Sequence, residues 1–160
     1  MRMTFALLAL VVATGCAHAE DEDDAVFRNG DWVVETASTL TIRADNGGNI
    51  HDYADLIATL SSTEVRIVGV CKSSCTMFLG LPKVCVSPEA SFGFHGPSSK
   101  NQSISHLVGL VDKIAALQSP VIGERFRSDW GLTRDFTWLS GTEVLAMDPS
   151  LRPCDAGVTE

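Results

Sequence analysis

The 160-residue chain carries 20 acidic and 12 basic side chains, a formal charge of −8. Phosphate binding needs a basic face, so this balance argues against a nucleic-acid role. The length suits one domain and is too short for two of ordinary size.

Residues 1–19 are expected to be a cleaved secretory signal. Met1-Arg-Met-Thr4 is weakly basic, Phe5 to Ala13 is an apolar run too short to span a bilayer, and Ala17-His-Ala19 fits a small-x-small cleavage site. A lipoprotein anchored through Cys16 is the competing reading, since Thr14-Gly15-Cys16 partly fits a lipid-attachment site. Cleavage after Ala19 leaves a single domain over 20–160 with a charge of −9. Its first stretch, 20–30, opens with Glu20-Asp-Glu-Asp-Asp24 and is expected to be a solvated, flexible leader. No other segment is apolar and long enough for a membrane span.

Trp32-Val-Val34 and Leu40-Thr-Ile42 are short β-branched strands. Asp45-Asn-Gly-Gly-Asn49 is a tight turn. Ile50, Tyr53, Ala54, Ile57 and Leu60 form the stripe of an amphipathic helix. Val65 to Val70 is a buried strand, so strand, helix and strand predict a parallel pair. A short apolar helix is predicted from Ser73 through Phe78, and extended runs cover Lys83 to Val86 and Ser91 to His95. After a polar loop, Ile104 to Ala115 carries the longest helical stripe. Ser119 and Pro120 are a cap and first position for another helix. Ser140-Gly-Thr-Glu143 is a capping box for a last helix ending near Asp148-Pro149.

The chemistry gathers at Gly69-Val-Cys-Lys-Ser-Ser-Cys-Thr-Met-Phe78 and Phe92-Gly-Phe-His-Gly-Pro97. Ser73 sits where a strand turns into a helix, a bend that exposes a hydroxyl next to a helix N-terminus. A serine needs a base and donors for the oxyanion. His95 is the candidate base. The Ser74 amide and the Gly48 amide are the candidate donors, because a parallel pair puts Asn46-Gly-Gly48 and Ser73 on one sheet edge. The competing readings make Ser73 a helix cap and His95 a hydrogen-bonded strand-end histidine. Lys72 and Lys100 are weaker candidates for a serine–lysine pair. His51 and His106 are expected at the surface or at caps, and Trp32, Trp130 and Trp138 in the core or an interface.

Cys71, Cys75, Cys85 and Cys154 remain after cleavage. An even count in an exported chain suggests disulfides, with three connectivities open. A metal site is disfavoured because the only tight spacing is Cys-x3-Cys. No metal or cofactor is expected.

Four motifs resemble the Clp protease proteolytic subunit. Ala44-Asp-Asn-Gly-Gly-Asn-Ile50 is similar to its Ser-Pro-Gly-Gly-x-Val turn, and Cys71-Lys-Ser-Ser-Cys-Thr76 to its Ala-Ala-Ser-Met segment. The second is closer still to exported Clp-protease-like proteins with a Cys-Ala-Ser-Ser-Cys signature. Phe92-Gly-Phe-His-Gly-Pro97 is similar to Met-Ile-His-Gln-Pro, and Trp138-Leu-Ser-Gly-Thr-Glu143 to Phe-Leu-Ser-Ala-x-Glu. The resemblance covers Leu40 to Pro97 well and Trp130 to Gly157 loosely. It implies a Clp protease/crotonase-like α/β fold, with a parallel sheet built from ββα-type units and flanking helices.

It also implies Ser73 as nucleophile, His95 as base, and Gly48 and Ser74 as oxyanion donors. The family's catalytic acid has no clean counterpart; Asp135 is the first candidate and Asp129 the second. Asn46 and Lys72 replace the family's proline and small residue. The implied protein is an exported serine peptidase that acts on short or unfolded peptides and assembles as a homo-oligomer through the helix from Ile104 to Ala116. A non-catalytic binding or assembly module on the same fold is the alternative. A thioester enzyme of crotonase type is a third reading, disfavoured by export because coenzyme A is cytoplasmic.

Overall fold

The computed structural model describes residues 30–98 and 103–155. The segment expected to be a signal, with Cys16, the expected acidic leader up to residue 29 and Lys100 lie outside the described residues. Strands β1 (Gly30–Thr36) and β2 (Thr39–Asp45) form an antiparallel hairpin. Helix α1 (Ile50–Thr59) leads to β3 (Glu64–Lys72), which pairs with β2 in parallel. Asn49 starts α1 by accepting from the His51 amide, while Tyr53 and Ile57 form the helix's buried face.

After β3 the chain makes the short apolar helix expected there, over Ser73–Gly80 and wound as a 3₁₀ helix. This segment is buried almost throughout, including Met77, Phe78 and Leu79. A short all-round apolar run has no solvent face to set a 3.6-residue period, so packing decides its winding. Strands β4 (Val84–Val86) and β5 (Ser91–Phe94) follow. Then come α2 (Ile104–Ala116) and α3 (Pro120–Ser128), a 3₁₀ turn at Trp130–Leu132, β6 (Thr137–Ser140), α4 (Gly141–Met147) and β7 (Arg152–Pro153).

The result is a mixed α/β fold with a mostly parallel sheet and flanking helices. The main path of the sheet runs β1-β2-β3-β4-β7. At β3 it forks. Residues 65–67 pair with β4, and residues 70–72 pair with β5, which carries antiparallel β6 on its far side. Ile42, Ile67, Phe92 and Phe94 are fully buried between sheet and helices.

Two disulfides link Cys71 to Cys75 and Cys85 to Cys154. The second ties β4 to the residue just beyond β7. The predicted capping box of α4 is present, with Ser140 accepting from the Glu143 amide and Glu143 accepting from the Ser140 amide. Ser119 precedes α3 as expected, but its hydroxyl makes no cap bond. It donates instead to the buried carboxylate of Asp148, which also accepts from Ser150. The end of α4 is thereby tied to the start of α3. No helix among the described residues is long and apolar enough to cross a membrane.

Candidate active site

Three strand ends meet at one edge of the sheet, those of β2, β3 and β5. The β2 end supplies the glycine turn. Asp45 is fully buried and accepts from the Tyr53 hydroxyl at 2.6 Å and the Gly47 amide at 2.7 Å. Burial pushes its carboxyl above the usual range, partly offset by these bonds. Gly47 then takes a left-handed φ of 73°. A Cβ there would stand 2.7 Å from the Lys72 carbonyl oxygen, the Ser73 Cβ and the Ser74 nitrogen. Only glycine allows the turn to lie this close to the end of β3. The Gly48 carbonyl accepts from the Ser74 hydroxyl at 2.8 Å, which fixes the two segments together.

The β3 end supplies Ser73. Its φ is +57°, the one positive value among the described non-glycine residues. A left-handed serine costs about 1–2 kcal/mol and persists only where its surroundings enforce it. Here Cys71 and Cys75 bracket it with a disulfide and Gly47 packs beneath it. The bend lifts the hydroxyl out of the strand direction. The first amides of the following 3₁₀ helix, Ser74 among them, have no acceptor within the helix.

The β5 end supplies His95. Its Nε2 lies 2.8 Å from the Ser73 Oγ. The ring is half-buried, and burial holds its pKa below the ordinary 6.5. A hydrogen bond to the Gly96 backbone works the other way, favouring the charged ring. The Gly96 amide is already committed to the Thr133 carbonyl at 2.6 Å.

Neither candidate acid reaches this ring. Asp135 is exposed, and its recorded bond is made by its own amide to the Thr133 hydroxyl. Asp129 pairs with Arg125 at 2.8 Å on the surface. The flank of His95 is taken by Phe136, with ring centroids 4.4 Å apart. Lys72 does not pair with Ser73; its ammonium lies 5.9 Å over the Phe136 ring.

A cavity of about 310 Å³ opens onto Ser73, Ser74, His95 and Gly48. Ile50, Leu110, Ile114 and Phe126 give it an apolar lining, and His51 and His106 stand at its walls. Sequence reasoning placed those two histidines at the surface. Both are exposed, yet both face the site, and the His51 Nδ1 lies 2.9 Å from the Lys113 ammonium across the gap between α1 and α2. Asp45 and Phe136 were also missed. Asp45 immediately precedes the glycine turn, and alternation puts Phe136 on the same face as Trp138; both signals were in the sequence. Among the described residues no three His, Cys, Asp or Glu side chains cluster so as to hold a metal.

The chain matches no known protein-family profile, and no curated protein matches it.

Proposed function

We propose that this chain is a serine hydrolase, a peptidase acting through an acyl-enzyme, on a Clp protease/crotonase-like fold. The carrying observation is a strained serine whose hydroxyl lies 2.8 Å from the Nε2 of a histidine biased toward its neutral form. A neutral imidazole can accept the serine proton as Oγ attacks a carbonyl carbon, and can return it to the leaving amine. The oxyanion would face the Ser74 and Gly48 amides at the cavity wall. No carboxylate bonds the ring among the described residues, so the imidazolium is stabilised less than in a full triad.

Export to an oxidising compartment belongs to the same proposal, supported by two disulfides that use all four cysteines beyond residue 19. Self-association through α2 belongs to it too, supported by the exposed Ile104 and Val108 on that helix.

The test is labelling with a fluorophosphonate, in which Oγ bonds to phosphorus, fluoride leaves and His95 takes the proton. Labelling in wild type that is lost in Ser73→Ala and His95→Ala, with unchanged circular dichroism, is the expected result. Labelling that survives Ser73→Ala removes the assignment. A binding module is the second reading, favoured by the lack of a carboxylate at His95 among the described residues. Absence of labelling in folded wild-type protein would select it.

A further inference from the structure

A second surface flanks His95, built from residues that do not line the cavity. Along β5, Phe92 and Phe94 point into the core, so Gly93 and His95 face the other way. In the antiparallel register of β6, Trp138 stands opposite Gly93 and Thr137 opposite Phe94. Gly93 leaves bare backbone there. A Cβ would come within 2.9 Å of the Trp138 ring, 2.9 Å of the Lys72 Cβ and 3.0 Å of the Phe136 ring. Both rings and the lysine stem therefore lie across the glycine.

Phe136 and Trp138 stack at 5.4 Å and 28°, and Phe136 continues the row to His95. The two aromatic side chains are nevertheless 42% and 48% exposed. The Lys72 ammonium is paired with no carboxylate among the described residues, in a chain whose overall charge is negative. An open aromatic shelf with an unneutralised cation at its rim, continuous with the base, suits one part of a substrate in particular.

The direction follows from proton transfer. His95 takes the Ser73 proton and must give it to the departing amine, so that amine lies against the imidazole. The residue that carries the amine then continues past the ring, onto Phe136 and Trp138. The acyl side remains with Gly48, Ser74 and the cavity. We propose that Lys72, Phe136 and Trp138 form the leaving-group subsite, taking peptides with an aromatic residue directly after the scissile bond and a carboxylate following it. This rests on the serine-hydrolase reading above.

The reverse step isolates the subsite. Ser73 is acetylated with p-nitrophenyl acetate, releasing p-nitrophenol, and an amine is offered as acceptor. The amine nitrogen bonds to the acetyl carbon, the bond from that carbon to Oγ breaks, and the amine proton passes through His95 to Oγ. Phenylalaninamide should be acetylated about tenfold faster than alaninamide, the scale of one aromatic stacking contact. The dipeptide Phe-Ala should exceed its own amide about threefold, as expected for an exposed ion pair. Trp138→Ala should bring the first ratio below about twofold, and Lys72→Met should abolish the second. Equal acetylation of phenylalaninamide and alaninamide by the wild type overturns the subsite while leaving the hydrolase standing.

Lack of p-nitrophenol release from Ser73 sinks the hydrolase instead. The shelf is then read by heteronuclear NMR of the indole N–H groups during Phe-Ala titration. A shift of the resonance that disappears in Trp138→Ala supports the shelf. An unmoved resonance at millimolar peptide overturns it.

Discussion

The two ends of β3 do different work. Its first half pairs with β4 and buries Val65 and Ile67 fully; within β4, Cys85 is tied to Cys154, and the carboxylate of Asp148 anchors the neighbouring helices. Its second half pairs with β5 and ends at a left-handed serine, packed against the left-handed Gly47 of the β2 turn and near exposed rings. One strand thus joins a well-satisfied half to a strained one. Strain at Ser73 is held because the other half is fixed, and the difference suggests where substitutions will cost stability and where they will cost chemistry.

The largest stability effect is expected far from the site. Cys85–Cys154 closes 69 residues, and replacing both cysteines with alanine should cost about 4 kcal/mol by loop entropy. Denaturant unfolding checks this, and a loss no greater than that from opening Cys71–Cys75 would break the contrast. Gly47→Ala comes next. It combines a left-handed penalty with a crowded contact at Ser73, so about 3 kcal/mol is expected in the same measurement. Removing Cys71–Cys75 closes only a four-residue span and should cost about 2 kcal/mol. Its mark should fall on the site instead, as slower fluorophosphonate labelling.

The smallest effect concerns pH. Burial lowers the His95 pKa, so the acid limb of kcat/KM should have its midpoint below 6.5. The stability sign agrees. The neutral ring is compatible with the fold above 6.5, and stability falls as pH drops from there through the lower folded pKa. A limb centred above 6.5 would show that an acceptor or a negative charge beside the ring outweighs its burial.

Much of this was legible in the sequence. The stripe at Ile50, Tyr53 and Ile57 gave α1, the β-branched runs gave β2 and β3, and Ser140 with Glu143 gave the start of α4. Local periodicity and capping carry those elements, and they survive into the fold. The order Gly48, Ser73, His95 was also enough to bring those residues together on one edge. The fork of β3 was not legible, because a buried strand reads alike whichever neighbour it pairs with at each residue. Nor was the 3₁₀ winding after Ser73, where local pattern is featureless and packing chooses. Asp135 was sought as an acid from the family resemblance, but its side chain is exposed while Phe136 lies beside the imidazole.

The residue after the histidine is held by atoms that nearly every residue type possesses: the Gly96 amide donates to the Thr133 carbonyl. No search through side-chain letters discloses such a tie, and among single exchanges only proline would delete it. The placing of the imidazole is in that measure written into the path of the chain itself.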